Sequence, residues 1–312
     1  MVYYGVDGYC NQCWNRYRIL SCRGVIMAQF HFFMPSSGRA DKLITLKQLP
    51  QWVKDNLTIV VSGNEVDDYF PVTKEAGIFL AVLEEDALLA EKDQWMFTQE
   101  DYRFVIRIED DLTFFVRDPE THKLSKATVE QVSEMFDECL KELQCEEWPL
   151  IGISSRGGNN FQKEDFVIGT RMHHIWFVDT DVYKHLNIDL VPFKDFVMDD
   201  FHVILSYLKN GYPNKVYFKY ACDDRGSNAP GGASQYRTSE VQWKSACWLA
   251  TQHPGYVTVK EKTTKTGWEG MDKNSLGQNV RTDVIIEWKK AYNAGQSKIK
   301  RQQGFAFFKR RK

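Results

Sequence analysis

The stretch FVIRIEDDLTFFV, residues 104–116, places three consecutive acids between two runs that are typical of buried β-strands. The acids are Glu109, Asp110 and Asp111. Charges beside a core are costly, because an unpaired buried carboxylate loses its hydration or takes up a proton. Either the chain turns into water at this point, or a cation neutralises the acids.

The surrounding sequence alternates between short apolar runs and amphipathic runs. Four runs are typical of strands: QFHFFMP, LTIVVSG, GIFLAVL and YRFVIRI. Three have helical spacing: DKLITLKQLPQWVKD despite its Pro50, EEDALLAEKDQW and TVEQVSEMFDECLKEL. In the last of these, Thr128 and Gln131 predict a capping box. Alternating strands and helices predict an α/β layered fold with a mainly parallel central sheet.

In such a sheet, ligands bind beyond the carboxyl ends of the strands, which is where the three acids would lie. A polar turn between hairpin strands is one interpretation. The other is a site for Mg²⁺ or Mn²⁺, which prefer carboxylate oxygens. Strand alternation predicts that the side chain of Asp110 points to the face opposite Asp111. Neither common phosphate-binding fingerprint, the P-loop or the dinucleotide-binding glycine motif, is present.

A second acidic group opens the run DDFHVILSYLKNGYPN. Its apolar spacing predicts a helix that begins near Asp199 and Asp200 and ends at Asn210 and Gly211. An acid at this position either caps the helix, which contributes about 1 kcal/mol, or acts as a general base. His253 ends a later helical run and is either a C-terminal cap or a metal ligand.

Composition limits the class of protein. The chain has 312 residues, 43% of them hydrophobic, and a net charge of −2, so a globular fold is expected and any affinity for nucleic acid must come from local patches. No apolar run approaches the roughly 18 residues of a membrane span, and the N-terminus does not resemble a signal peptide. A cytoplasmic protein without a membrane partner is therefore expected.

Three segments are predicted along the chain. Residues 1–26 are an appendage, because the opening strand of the domain is expected from Met27; residues 27–291 form the domain; and residues 292–312 form a basic, aromatic tail. The appendage contains CNQC, which has the spacing of half a zinc site or simply provides free thiols. The tail is either a solvated end or a DNA-docking segment, since basic residues interleaved with aromatics suit phosphate contacts and base stacking.

Several segments share their order with a known family. They are MPSSGR, IEDDLTFFVR, MDDFHVILSYLKNGYPN, GSNAPGGASQYRT and RTDVIIEWKKA, which together span about residues 29–291. The chain resembles glycosyltransferases of the GT-A type, which have a Rossmann-like layered fold. More narrowly, it is similar to the TET-associated glycosyltransferase family, mostly found in phages.

That resemblance implies a function: transfer of a sugar from a nucleotide sugar, expected to be UDP-linked, to the hydroxyl of a 5-hydroxymethylpyrimidine in double-stranded DNA. It implies Mn²⁺ or Mg²⁺ as cofactor, held by Glu109 and Asp111 as the outer positions of a D-x-D motif in which Glu replaces the usual Asp, with His253 as a further candidate ligand. The resemblance makes Asp199 or Asp200 the catalytic base. The residues expected to bind the donor are Ser37, Arg39, Glu65 and Asp110.

Other functions remain open from the sequence. A glycosyltransferase with a protein or polysaccharide acceptor would carry the same residues. A sugar nucleotidyltransferase would usually have a glycine-rich opening loop with a lysine, which PSSGR lacks. A DNA-binding module without catalytic activity would need neither acidic group.

Overall fold

The computed structural model of the protein describes residues 2–4, 30–158, 162–224, 231–265 and 271–309. Eleven of the described strands form one sheet: β1 (Val2–Tyr4), β2 (Phe30–Pro35), β3 (Leu57–Val61), β4 (Phe79–Val82), β5 (Phe104–Ile108), β6 (Thr113–Arg117), β7 (Leu124–Lys126), β8 (Leu150–Ser155), β9 (Phe166–Ile168), β10 (Ile175–Asp179) and β11 (Asn214–Asp223). A separate hairpin consists of β12 (Val257–Thr264) and β13 (Asn279–Ile286). The described helices are α1 (Gln51–Lys54), α2 (Val66–Ala76), α3 (Leu89–Phe97), α4 (Val129–Gln144), α5 (Thr180–His185), α6 (Asp199–Lys209), α7 (Ser239–Gln252) and α8 (Trp288–Lys309).

The large sheet has the order β1-β4-β3-β2-β5-β10-β8-β11-β6-β7, and β9 pairs with β11. The neighbours β4, β3, β2 and β5 are parallel, as are β8 and β11, and β10 is inserted between these two groups in the reverse direction. The expected α/β layered fold with a mainly parallel sheet is confirmed. Because β2 and β5 are parallel neighbours, their carboxyl ends meet at one edge.

Each face of the sheet is covered by its own hydrophobic core. The alternation within β2 shows the division, since Phe32 and Met34 face one core and Phe33 faces the other. Helices α2 and α4 cover the first face, and helices α3, α5, α6 and α7 cover the second. The protein is therefore a three-layer α/β/α arrangement in which the strand ends between the layers remain accessible to ligands.

Two of the predicted helix boundaries are confirmed, and one predicted helix is wrong. The capping box of α4 is present, with Thr128 Oγ1 accepting from Gln131 N and Gln131 Oε1 accepting from Thr128 N at 3.3 and 3.0 Å. Asn210 is the C-cap of α6, and Gly211 follows it at a φ of 93°. The single helix predicted for DKLITLKQLPQWVKD is wrong: two 3₁₀ turns precede α1, which begins only after Pro50. Proline lacks an N–H and suits a helix start better than an interior position.

The chain ends differ from the three predicted segments in some respects. Within the predicted appendage, β1 pairs with β4, and the CNQC motif lies outside the described residues. At the other end, α8 runs without a break across the boundary predicted at residue 292. Gly295 lies so close to α6 that a Cβ there would be 2.0 Å from the carbonyl oxygen of Leu208. Among the described residues, no helix has the length and apolar character needed to cross a membrane.

Candidate functional site

A cleft of about 990 Å³ opens at the carboxyl ends of β2 and β5. The lining includes residues from the segments 35–39, 107–111, 171–176, 197–201 and 231–237, and further residues such as Glu65, Lys92 and Asp224. The first two follow neighbouring parallel strands, so the topology of the sheet brings them together. All predicted donor-binding residues and both acidic groups line this cleft.

Arg39 holds two of the three acids on the cleft floor. Its Nη1 donates to Asp110 Oδ1 and to Asp111 Oδ2, each at 2.8 Å, and Ser36 Oγ donates to the other oxygen of Asp110. The prediction that Asp110 points away from Asp111 is therefore wrong. β5 ends at Ile108 and the acids form a turn, so the strand alternation no longer applies to them.

Asp111 lies in surroundings that oppose its negative charge. Burial raises the pKa of Asp111 to about 6, and although Arg39 lowers it, the carboxylates of Glu109, Asp110 and Asp224 raise it further. Asp224 directly follows β11 and also lines the cleft. This corner of the cleft has an excess of negative charge that a cation would relieve.

The wall next to Arg39 is held by Glu65, which lies after β3. Glu65 Oε1 accepts hydrogen bonds from Ser37 Oγ at 3.1 Å and from Gly38 N at 2.5 Å. The buried Lys92 of α3 donates to the carbonyl of Ser36 at 2.7 Å and lies 3.7 Å from Glu65. Three predicted donor-binding residues, Ser37, Arg39 and Glu65, thus lie together, and the fourth, Asp110, lies next to them through its bond to Arg39.

Both carboxylate oxygens of Glu109 have a hydrogen-bond partner. Its Oε1 accepts from Arg107 Nη1 at 2.8 Å, and its Oε2 lies 2.6 Å from His174 Nδ1. Burial alone would raise the pKa of Glu109, but His174 and Arg107 outweigh it and hold that pKa well below its usual range. Glu109 would have to release one of these partners before it could bind a metal.

Arg107 connects Glu109 to the protein interior. It lies on β5, its Nε is 3.2 Å from Asp93 Oδ1, and its guanidinium stacks over the ring of Trp176 with 5.0 Å to the ring centroid. Arg107 and Asp93 are both buried. A buried charge is tolerated only when it is paired, so Arg107 neutralises two acids at once.

Replacement of Arg107 by methionine should lower the free energy of unfolding by about 3–5 kcal/mol, because Asp93 and Glu109 would lose their shared cation. Urea denaturation at pH 7 would measure the change. Lys141→Met is the control, since it breaks an exposed ion pair with Asp137 and should change stability little. Equal stabilities of the two variants would contradict the structural role of Arg107.

The two acids at the start of α6 have different surroundings, and neither is the N-cap, which is Met198. The carboxyl of Asp199 faces that of Asp93, whose Oδ2 is buried and has no other hydrogen-bond partner among the described residues. Burial, Asp93 and then Asp200 raise the pKa of Asp199 well above its usual value. Since Asp93 is also bonded to Arg107, the proton shared by the two carboxyls resides on Asp199.

The carboxylate of Asp200 is bonded to Arg171 and is still accessible from the cleft. Its Oδ2 accepts from Arg171 Nη2 at 2.8 Å and from Arg171 Nε at 3.2 Å, and the same guanidinium stacks on Phe201 with 4.3 Å to the ring centroid. Its side chain remains about one-fifth exposed. Of the two candidate bases, Asp200 is thus an ion-paired carboxylate at the cleft surface, whereas Asp199 already carries a proton.

His253 lies apart from the acids. It is the C-cap of α7, as one of its two interpretations predicted, and its Nε2 lies 2.8 Å from Nδ1 of His202. It is buried and is not among the residues that line the cleft. Burial lowers the pKa of His253 to about 2, so it is neutral. The structure does not bring it together with Glu109 and Asp111.

Residues 231–237 close the cleft over the loop that follows β2. Gly232 N donates to the carbonyl of Ser37 at 3.1 Å, and Arg39 Nη2 donates to the carbonyl of Gly231 at 3.4 Å. Gly231 has a φ of 96°, and a Cβ there would lie 2.7 Å from Arg39 Nε. This closure therefore requires glycine.

Gly231→Ala should weaken donor binding about tenfold or more, because the new methyl group displaces Arg39 from the acids. Titration calorimetry with a nucleoside diphosphate would measure it. Gly255→Ala is a matched control: its φ is 80°, but nothing lies within 4 Å of the position that its Cβ would take, so it has the same backbone strain without the clash. Unchanged nucleotide affinity in Gly231→Ala would show that the closure is not needed.

Sequence reasoning missed several residues of the cleft: Lys92, Arg107, Arg171, His174 and Asp224. For Arg107 a signal exists, since it is the one charge within an otherwise apolar strand. For Arg171 and His174 none does, because their partners lie 29 and 65 residues away in the chain.

Two carboxylates of the cleft fit a divalent cation. Among the described residues, no three His, Cys, Asp or Glu side chains are grouped as a ready metal site. Glu109 has both oxygens bonded, but Asp111 and Asp224 are carboxylates in a region of excess negative charge. Because Mg²⁺ is often held by one or two carboxylates together with substrate phosphates, this pair fits such an ion.

Comparison with known proteins identifies the family. The family model described as TET-associated glycosyltransferase matches residues 30–232, more than half of the chain. The chain belongs to the TET-associated glycosyltransferase family. The match covers β2 to β11 and the start of the closing segment, and so includes the acids, Arg39 and the start of α6. It confirms the family expected from the sequence. The curated proteins contain no match to this member of the family.

Among solved structures, this TET-associated glycosyltransferase is similar to a mannosyltransferase from Pyrobaculum calidifontis in complex with GDP-Man and Mn²⁺, at 12% identity and a TM-score of 0.47. The similarity covers 72% of this chain and only 61% of the mannosyltransferase. Glucosyl-3-phosphoglycerate synthase from Mycobacterium tuberculosis, in complex with Mg²⁺ and UDP, matches at 10% identity and a TM-score of 0.46, over 75% of this chain and 84% of its own. Both TM-scores lie below 0.5, so the family match is the finding that identifies the chain.

Proposed function

We propose that the protein transfers a sugar from a nucleotide sugar to the hydroxyl of a 5-hydroxymethylpyrimidine in DNA. The observation that carries this proposal is one cleft with two separate acidic centres. One is the cluster around Asp111, beside residues suited to a nucleotide; the other is Asp200, held by Arg171. Family membership supports glycosyl transfer as the reaction.

The donor would lie along the loop that follows β2. Ser37 and Glu65 offer a hydroxyl and a carboxylate to the ribose or base, and Arg39 fixes the floor beneath them. Asp111 and Asp224 would hold Mg²⁺ or Mn²⁺ with the diphosphate of a UDP-linked sugar. When bound, the ion stabilises the negative charge that develops on the leaving nucleoside diphosphate.

The acceptor would approach from the wall that carries Asp200. A hydroxymethyl group ionises far above neutral pH, so its proton must be removed as the new bond forms. The Asp200 carboxylate accepts that proton, the acceptor oxygen bonds to the anomeric carbon of the sugar, and the bond from this carbon to the diphosphate breaks with its electron pair. Arg171 keeps the carboxylate in place through two hydrogen bonds.

The proposed acceptor requires contacts with DNA, and the basic tail is one candidate for them. Residues 301–312 carry Arg301, Lys309, Arg310, Arg311 and Lys312 without an acid. The structure refines where this tail can be cut, because Lys298 Nζ donates to the carbonyl of Lys209 at 2.9 Å and Gly295 packs against α6. Residues up to 300 therefore contribute to packing.

Deletion of residues 301–312 should weaken binding of duplex DNA and flatten its salt dependence by about one unit of slope for each phosphate that the tail neutralises. Fluorescence anisotropy over a salt series would measure both. Hydrolysis of the donor sugar without DNA is the control and should not change. An unaltered DNA affinity and salt slope would show that the tail is a solvated end.

A screen of nucleotide sugars against duplexes containing 5-hydroxymethylcytosine, 5-hydroxymethyluracil or neither tests the function, with mass spectrometry of the DNA as readout. The expected result is a hexose-sized mass increase on one modified duplex only. Donor hydrolysis without transfer to any duplex would contradict the DNA acceptor and favour a protein or polysaccharide. Release of pyrophosphate from a nucleoside triphosphate and a sugar phosphate would instead indicate a nucleotidyltransferase.

A further inference from the structure

Two arginines line the cleft away from the acid cluster. Arg237 lies immediately before the N-cap of α7, and Arg281 lies on β13, which packs against α7. Both lie outside residues 30–232, the part of the chain that matches the family. They form a wall that the proposed roles of Arg39, Asp111 and Asp200 do not use.

The Nε atoms of the two arginines lack the acceptors that the Nε atoms of two other cleft arginines have. Arg107 Nε donates to Asp93, and Arg171 Nε donates to Asp200. By contrast, the Nε atoms of Arg237 and Arg281 are buried and have no hydrogen-bond partner among the described residues. A buried N–H without an acceptor is costly, and such groups are rare in native proteins. The missing acceptor is therefore expected from a bound molecule.

The charge of this wall is positive. Arg281 Nη2 lies 3.3 Å from Asp283 Oδ2, but Lys262 occupies the same oxygen at 2.8 Å, so one carboxylate serves two cations. Arg237 has no ion pair with a described acid. An anionic ligand would balance the remaining charge.

The neighbouring helix end favours an anion as well. Thr238 caps α7 by accepting from Val241 N, and Gln242, in the first turn, is among the residues that line the cleft. The positive end of a helix dipole stabilises negative charge nearby. Guanidinium groups match phosphate oxygens with two parallel hydrogen bonds, which distinguishes them from lysine.

We propose that Arg237 and Arg281, with Gln242, form a subsite for a phosphate group of a substrate. This inference rests on the proposed function, which supplies two sources of phosphate: the diphosphate of the donor and the backbone of the DNA acceptor. In either case the subsite fixes where a substrate lies relative to Asp111 and Asp200. The subsite is distinct from the proposed metal site, because its positive charge comes from two arginine side chains and not from a bound metal ion.

The test compares Arg237→Gln, Arg281→Gln and the double variant with the wild-type protein. Affinity for UDP is measured by calorimetry without DNA, and affinity for an unmodified 12-base-pair duplex is measured by anisotropy at fixed salt. Lys123→Gln is the control, since it removes one exposed positive charge at a position that does not line the cleft. Arg237→Lys retains the charge without the planar fork, and thermal unfolding confirms that each variant is folded.

The double variant should lose about tenfold to hundredfold in affinity for one of the two probes, because it removes charged hydrogen bonds to phosphate. A loss for UDP alone assigns the subsite to the donor diphosphate, and a loss for the duplex alone assigns it to the DNA backbone. If the wild type binds UDP or the duplex and the folded double variant binds it equally well, the subsite is overturned and the proposed function stands. If the wild type binds neither, both fail.

Discussion

Asp200→Asn is expected to slow sugar transfer by about 10²- to 10⁴-fold, because the amide cannot accept the proton of the acceptor hydroxyl. The substitution conserves shape, and Arg171 can still bond to the amide oxygen, so the fold and the affinity for the donor should change little. Single-turnover transfer to a modified duplex would isolate the chemical step from product release. Donor binding measured separately confirms that the site is intact.

Asp199→Asn is the matched control, one residue earlier on the same helix. Asp199 already carries a proton and donates to Asp93, and an asparagine amide donates in the same direction, so transfer should fall by much less than in Asp200→Asn. If instead Asp199→Asn abolishes transfer and Asp200→Asn does not, the assignment of the base is reversed.

Asp199→Asn should also change how the free energy of unfolding depends on pH. The pKa of Asp199 is raised in the folded protein, so the folded state binds more protons than the unfolded state above the ordinary aspartate pKa of about 3.9. Its contribution to the free energy of unfolding therefore falls as the pH rises above that value. Asparagine does not titrate, so Asp199→Asn should show a smaller loss of stability between pH 5 and 8 than the wild type.

Asp111→Asn is expected to reduce transfer by about 10²-fold or more, because it removes a charged ligand from the proposed metal site and no volume from the core. The protein should remain folded, since burial and neighbouring acids already disfavour this charge. Asp223→Asn is the control: it lies next to Asp224 but pairs with Arg156 at the surface at 3.0 Å. Chelator and Mn²⁺ titrations accompany both variants. Full activity of Asp111→Asn together with insensitivity to chelator would exclude the metal site.

Local patterns predicted the scaffold of this protein well. Short apolar runs identified β2, β3, β4 and β5, and the capping box identified the start of α4, because these signals lie within a few residues of each other. The rule that ligands bind at the carboxyl ends of parallel strands then placed Glu109 to Asp111 in the cleft. Each of these steps needs only short-range information.

The partners within the cleft could not be predicted in the same way. Whether Glu109 is free or paired depends on Arg107 and on His174, which arrives on the loop before β10. The orientation of Asp110 was mispredicted because the exact residue at which β5 ends decides it. Asp93 and Asp199 share a proton only because α3 and α6 bring their carboxyls together. The spacing of apolar residues in the sequence does not predict that proximity.

The bonds between Arg39 and the segment at Gly231 join residues that are 192 positions apart. The four parallel strands β2 to β5 are complete by residue 108, so during synthesis these strands can pair long before the cleft can close. The closing segment is bonded to the loop after β2 through Gly231 and Gly232, and part of its surface remains exposed. Local opening of such a segment needs far less free energy than global unfolding. On heating, this enzyme would lose its substrate cleft while its sheet is still folded, and would recover it on cooling.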